Sequence, residues 1–297
     1  MNSLLNGKKI VIVGLGLIGG SVARGLSALN ADMDIVGVGR NSLTLQNAVD
    51  DGSIASYSTD LKVACKDADL VLIAVPSLSV EQVLSDLKEV VTDNMVITDA
   101  ASVKEVVVGS AQRIFGCIPP GFVPGHPIAG SEHSGYQASF PELYRNRKVI
   151  LTPLEASAPE AVSLVTAMWG SLGAEVVEMD VARHDAVLAA TSHLPHLLAF
   201  ALVDTLSQQG ESEEIFRYAA GGFRDFTRIA SSDPHMWRDI FLANGQATAN
   251  VLDLYIEDLG RLRAAMLDKN AEVLMETFRR AKKSRDNFMA MLSDKEE

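Results

Sequence analysis

The chain has 297 residues, 47% hydrophobic and 22% charged. That composition excludes a mostly disordered polypeptide and suits two domains. Its 26 basic and 38 acidic side chains leave a formal charge of −12, which argues against nucleic acid or an anionic membrane as partner, though not against a small anionic substrate.

The first part alternates short apolar runs with helix-length segments. Lys9–Val13, Asp34–Val38, Leu70–Val75, Met95–Thr98, Phe122–Val123, Lys148–Leu151 and Glu175–Glu178 read as strands, and Ile18–Leu29 as a helix. This pattern predicts a largely parallel sheet covered on both faces. After about Met179 the strand signal ends. Val181–Ser207 reads as one long apolar segment interrupted by Pro195. Asp233-Pro234 is a helix start, an N-cap followed by a first-turn proline. From Trp237 to Leu262 apolar residues recur at steps of three and four, and Asn270 caps a last helix. The expected domains are 1–178, α/β, and 179–297, all-helical. Cys65 and Cys117 form no CxxC, no uninterrupted apolar run reaches about 18 residues, and Ile10–Val22 has no cleavage region after it. A cytoplasmic chain without a membrane span is the expectation.

Gly14-Leu15-Gly16-Leu17-Ile18-Gly19 lies between a predicted strand and a predicted helix. In that context GxGxxG is the dinucleotide fingerprint of a Rossmann domain. The first glycine permits the turn, the second lets backbone approach a pyrophosphate, and the third allows close helix packing. Val75 and Pro76, at the end of the third strand, are further candidate cofactor contacts. The second strand ends in Gly39-Arg40-Asn41-Ser42. An acid that binds ribose hydroxyls is absent there, and Arg40 can pair with a 2′-phosphate. NADP is therefore favoured, with NAD possible. Arg40 as a solvated loop residue is the other reading of this turn.

Four further clusters carry chemistry. Asp99-Ala-Ala-Ser102-Val-Lys104 follows a strand, where Ser102 suits a helix N-cap, a substrate contact or both. Gly125-His126-Pro127-Ile-Ala-Gly-Ser-Glu132 presents a histidine in a rigid Gly-Pro turn, either an acid/base or a structural imidazole. In His184-Asp185…Ser192-His193-Leu-Pro-His196, spacings of seven and four place Asp185, Ser192 and His196 on one helical face, with His193 about 100° away. The H-x-x-H pair lacks further ligands, so no metal is expected. Gly221-Gly-Phe-Arg224-Asp-Phe-Thr-Arg228, with Trp237 beyond, offers two arginines to a dicarboxylate or to solvent.

Together and in this order the five clusters resemble the prephenate/arogenate dehydrogenase family of tyrosine biosynthesis, over nearly the whole chain. The resemblance implies an N-terminal Rossmann domain, a C-terminal helical domain that builds a homodimer, and a site in the cleft between them. It implies that His126 is catalytic and accepts a hydrogen bond from the substrate's ring hydroxyl, with Ser102 in support. It further implies that Arg228 binds the ring carboxylate, that Asp185 holds that arginine, and that Glu132 gates the cleft. Ser192 and His196 would lie near substrate and nicotinamide, and Trp237 would line the site. Arg224 stands where many members carry Lys. The turn at Gly39-Arg40 departs from the usual acid. A fused mutase and an appended regulatory domain are not expected, so inhibition by tyrosine would act at the active site.

The implied reaction is oxidative decarboxylation of prephenate to 4-hydroxyphenylpyruvate, with arogenate as the alternative substrate. It needs a base on the hydroxyl, a cation on the carboxylate and a placed nicotinamide. Two other readings stand beside it. A two-domain oxidoreductase of the β-hydroxyacid type would rely on a catalytic Lys on a helix, and no such Lys accompanies Ser192. A non-catalytic nucleotide sensor would not need His126, Ser102, His196 and Arg228 together.

Overall fold

A computed structural model describes residues 4–29, 32–131, 133–210 and 212–293. In chain order the elements are β1 Lys8–Val13, α1 Leu17–Ser27, β2 Met33–Val38, α2 Ser42–Asp50, β3 Ser56–Ser58, α3 Leu61–Cys65, β4 Leu70–Ile73, α4 Val80–Leu87, β5 Val96–Asp99, α5 Glu105–Phe115 and β6 Phe122–Val123. Then come β7 Gly125–Pro127, β8 Lys148–Leu151, α6 Pro159–Ser171 and β9 Glu175–Glu178. The helices α7 Val181–Leu188, α8 Leu194–Ser207, α9 Ser212–Arg217, α10 Gly221–Thr227, α11 Pro234–Ala243, α12 Gly245–Leu267 and α13 Ala271–Ser293 complete the chain.

Six strands form a sheet in the order β3-β2-β1-β4-β5-β6, all parallel. The order reverses between β1 and β4, the switch point where such sheets bind ligands beyond their carboxyl ends. Alternate side chains feed two apolar layers. Ile10, Ile12, Leu70 and Leu72 pack with α1 and α6 through Leu26, Val165 and Trp169. Val11, Val13, Val71 and Ile73 pack on the other face with Cys65, Leu84, Leu87 and Val107.

The expectation that His126 sits in a turn is corrected. This residue lies in β7, antiparallel to β8 and opposite Ile150, within a second sheet ordered β7-β8-β9. Pro124 precedes and Pro127 ends a strand only three residues long, too short to show an alternating pattern.

Strands end at Glu178, and the described residues after it are helical or connecting. The Asp233 side chain caps α11 by accepting from the His235 and Met236 amides. Asn270 likewise accepts from Val273 in the first turn of α13. The chain divides into two compact units, Met1–Thr248 and Ala249–Glu297. Helices α7 to α11 therefore belong to the same compact unit as the sheets. In the second unit, α12 and α13 residues including Arg261, Leu262, Val273 and Arg280 line a shared groove.

Between α7 and α8 the backbone makes a π turn, Ala189–His193. Pro195 then falls in the first turn of α8, where its missing N–H breaks no bond. Counted as one helix, Val181–Ser207 has the length and apolarity to cross a membrane, with mean hydropathy 1.6. It also carries His184, Asp185 and His193, all buried and hydrogen-bonded by the protein. Those bonds suit a helix of a protein core.

Candidate active site

The glycine turn sits at the carboxyl end of β1, beside the loop that follows β4. Gly14 has φ +97, and a Cβ there would lie 2.6 Å from the Ala74 carbonyl oxygen. A Cβ on Gly19 would lie 2.0 Å from the Gly14 carbonyl oxygen. By contrast, a Cβ on Gly16 would meet nothing within 4 Å. Gly16 is also the N-cap of α1 and offers no side-chain cap. Amide donors therefore face open space at a helix N-terminus, which fits a pyrophosphate. Leu15 is buried, Leu17 and Ile18 pack on the core, and the Ile18 carbonyl accepts from Tyr144 Oη at 2.6 Å. Val75 lies against Gly14, and Pro76 is exposed beyond β4.

At the end of β2, Arg40 is exposed. Asn41 Oδ1 is engaged as the cap of α2, accepting from Leu43 and Thr44, and Ser42 opens that helix. A Cβ at Gly39 would meet only Leu45, at 3.6 Å or more.

The second centre is a relay of three side chains. His126 Nδ1 lies 2.9 Å from His184 Nε2, and His184 Nδ1 lies 2.7 Å from Asp185 Oδ1. The carboxylate also accepts from the Lys104 amide at 2.8 Å and the Glu105 amide at 2.9 Å. Burial alone would raise the Asp185 pKa. The hydrogen bonds from His184, Glu105 and Lys104 outweigh it and hold the carboxyl below its ordinary value. An ionised Asp185 accepts the Nδ1 proton of His184. When His184 is neutral, its Nε2 accepts from His126 Nδ1–H and leaves His126 Nε2 as a proton acceptor. Burial, followed by the neighbouring His184, Lys104 and His193, pushes His126 well below the usual histidine value. Its neutral, accepting form is favoured at physiological pH.

The described donors to the Asp185 carboxylate are His184 and the amides of Lys104 and Glu105, and no arginine is among them. It also changes the reading of Ser102. Helix α5 begins at Glu105 with Lys104 as its N-cap residue, and Asp185 supplies the capping oxygens from another helix. Ser102 is half-buried two residues earlier, without a hydrogen bond to His126 among the described contacts.

The π turn alters the helical face as well. His193 rather than Ser192 turns inward with Asp185. Asn244 Nδ2 donates to the Asp185 carbonyl at 2.9 Å and lies 3.1 Å from His193 Nδ1. Ser192 is half-buried, and its carbonyl accepts from His196 Nδ1 at 2.8 Å. The His196 ring stacks on Trp237 with centroids 3.7 Å apart, and His193 meets the same indole edge-on. Trp237 is buried, and its Nε1 has no hydrogen-bond partner among the described residues. Burial lowers the His196 pKa, the Ser192 carbonyl opposes that, and the Arg228 charge lowers it further. Arg228 opens a short 3₁₀ turn after α10. With Phe216, Phe223, Arg224 and Thr227 it lines a groove of about 410 Å³. The Arg224 side chain is 82% exposed beside Asp225. Glu132 lies outside the described residues.

Sequence reasoning missed His184, Asn244 and Lys104 as parts of this centre. The adjacent His-Asp pair was a visible signal for the first. Lys104 closes the Asp99–Lys104 cluster legible in the sequence, and nothing local marks Asn244.

Two family models match the chain: "Prephenate dehydrogenase, nucleotide-binding domain" over residues 22–178 and "Prephenate dehydrogenase, dimerization domain" over 180–280. The chain belongs to the prephenate dehydrogenase family. It is 36% identical to the cyclohexadienyl dehydrogenase of Zymomonas mobilis, over 94% of this chain and 95% of that protein. Identity to the prephenate dehydrogenase of Bacillus subtilis is 37%, over 94% of this chain and 76% of that protein. Its fold is similar to a crystal structure of Aquifex aeolicus prephenate dehydrogenase in complex with hydroxyphenyl propionate and NAD+. That match has TM-score 0.88 and 37% identity, covering 96% of this chain and 99% of the other.

Proposed function

We propose that this family member oxidises prephenate to 4-hydroxyphenylpyruvate and carbon dioxide, with His126 as the base, in tyrosine biosynthesis. The observation that carries the reading is the His126–His184–Asp185 relay, which leaves His126 Nε2 able to take a hydroxyl proton. When bound, the nicotinamide accepts the hydride from the hydroxyl-bearing ring carbon. His126 Nε2 takes the hydroxyl proton as that carbon becomes carbonyl-like. The electrons of the bond to the ring carboxylate close the aromatic ring as carbon dioxide leaves, and the proton returns to the phenolate oxygen. Arg228 orients the carboxylate, and its hold relaxes as that charge departs. His196 and Trp237 form a flat wall for the ring, with Ser192, Ser102 and Glu132 assigned around the substrate.

Residues 1–178 are assigned to the nucleotide and 179–297 to substrate and dimer. The open space at Gly16 and the absent acid at Gly39 support the pyrophosphate site and NADP respectively, while the Aquifex aeolicus structure carries NAD+. A homodimer is supported by the dimerization-domain match. Only 28% of the apolar window in Val181–Ser207 is buried in one chain, and Leu254, Ile256, Leu259 and Phe278 are exposed. Free Cys65 and Cys117 suit the cytoplasm. Any inhibition by tyrosine would act at this same site.

One assay tests the function. Purified protein is given prephenate or arogenate with NADP+ or NAD+, and reduced nicotinamide and carbon dioxide are followed together. Equimolar release of both from prephenate is expected. Faster turnover of arogenate would reassign the substrate, and no turnover of either would overturn the reading.

A further inference from the structure

Behind the relay lies an ion pair that the reaction does not call for. Lys104 is fully buried, and its ammonium contacts the Asp99 carboxylate and donates to the Gly125 carbonyl at 2.5 Å. Asp99 is equally buried. Its Oδ1 accepts from the Gly125 amide at 3.2 Å and its Oδ2 from the Ala101 amide at 3.0 Å. The pair thus grips Gly125 from both sides, N–H by the anion and C=O by the cation. That carbonyl belongs to the peptide joining Gly125 to His126, so its plane sets the direction in which His126 leaves the strand.

Space at this point is tight. A Cβ on Gly125 would lie 3.1 Å from the Asp99 carbonyl oxygen and 3.1 Å from Leu151 Cδ2. Burying two charges is expensive, and well-packed neutral side chains often hold a fold as well or better. A buried pair wrapped around one peptide therefore has a use beyond stability.

The groups facing His126 come from three sides. His184 and Asp185 lie on α7, His193 on the π turn, and Lys104 and Asp99 at the ends of α5 and β5. Lys104 is the fixed cation among them.

We propose that Lys104 is a positioning residue for His126: with Asp99 it locks the Gly125 peptide so that the imidazole meets His184 and presents its other nitrogen as the base. The proposal rests on the reading of His126 as the base. Its test includes a measurement made without substrate or cofactor, so that failure of one is distinguishable from failure of the other.

The variant for this test is the double substitution Lys104→Met with Asp99→Asn. It removes both charges together and leaves neither one orphaned. The carboxamide introduced by Asp99→Asn still offers an acceptor to the Gly125 amide. In the free protein, the His126 ring is titrated by NMR. Loss of the fixed cation is expected to move its protonation to higher pH. In the assay, kcat is expected to fall tenfold or more with KM for the nicotinamide unchanged, and the acid limb of kcat/KM moves to higher pH. The single variant Lys104→Arg, which keeps the charge, is expected to keep the His126 titration near that of the wild type. An unchanged His126 titration and unchanged kcat in a folded double variant, even with lower thermal stability, would overturn the proposal. Wild-type protein inactive on prephenate, with the NMR shift present, would sink the function and leave the positioning role standing. If the double variant does not fold, Asp99→Asn alone is titrated the same way, and a His126 unchanged in both protonation and contact with His184 would overturn it.

Discussion

His126 and His184 meet nitrogen to nitrogen at 2.9 Å, so only one of the two facing atoms can carry the proton. Asp185, on the far side of His184, decides which. With His184 neutral, a carboxylate that accepts from its Nδ1 leaves Nε2 bare, and the proton at the contact belongs to His126. Replacing His126 by Asn removes the base while keeping a polar group of similar reach. Turnover is expected to fall roughly a hundredfold or more, the scale of losing a general base, with nicotinamide binding retained by fluorescence titration. Near-normal turnover in a folded variant would remove His126 from the chemistry.

Acid affects stability through His193. Burial, partly offset by Asp185, pushes its pKa down to about 4. An unfolded histidine takes its proton near 6.5. Between those values the unfolded chain binds the proton and the folded chain does not. The folded protein therefore keeps its full stability above about pH 6.5 and loses it progressively as pH falls toward 4. Denaturant melts at pH 7 and pH 5 are expected to differ more for the wild type than for His193→Gln. Equal pH dependence in both would contradict the assignment.

Arg228→Ala is expected to raise KM for prephenate by about ten- to a hundredfold, with a smaller change in kcat, since a charge-assisted hydrogen bond contributes roughly 1.5–3 kcal/mol. Arg224→Ala, at a side chain open to solvent beside Asp225, is expected to change KM little. The reverse ranking in steady-state kinetics would move the carboxylate site to Arg224.

Cofactor choice is tested at the end of β2. The space around Gly39 admits a side chain without a clash, so Gly39→Asp is expected to fold normally. Its carboxylate would repel a 2′-phosphate and accept from ribose hydroxyls, shifting preference toward NAD. Arg40→Ala is expected to weaken NADP binding about tenfold or more while sparing NAD. Isothermal titration with both nucleotides reads the difference. A wild type that already prefers NAD would show that Arg40 faces solvent in the complex.

Sedimentation at micromolar concentration is expected to give a homodimer, because the dimerization-domain match covers Leu254, Ile256, Leu259 and Phe278, which are exposed in the single chain. A monomer would leave those side chains unexplained.

What the sequence makes legible is local. Gly14-Leu-Gly16-Leu-Ile-Gly19 stands out because strand, turn and helix are consecutive there. Asp233-Pro234 and Asn270 do the same, because a cap acts on residues two or three positions away. The relay is hidden for the opposite reason: His126 and His184 are 58 positions apart, and no periodicity links them. Lys104 closes a legible cluster, but its buried pairing with Asp99 is hidden because lysine is nearly always solvated. The short β7 reads as a turn because three residues, the last of them Pro127 and with Pro124 just before, carry too little pattern to separate strand from loop.

The π turn at Ala189–His193 sets the phase of everything that follows it in α8. A π turn is an α-helix holding one residue more than its register requires, and each residue advances the helix by about 100°. With that surplus residue, Asp185 and His193 share an inner face, and His196 one turn later lies flat on Trp237. Deleting Ala189 or Ala190 would restore an ordinary helix without removing a single side chain of the site. His193 and His196 would then swing about a quarter turn away from Asn244 and the indole. Chain length between Leu188 and Leu194 is thus as much a determinant of the site as the identity of its histidines, and substitutions within the turn are better tolerated than any change in its residue count.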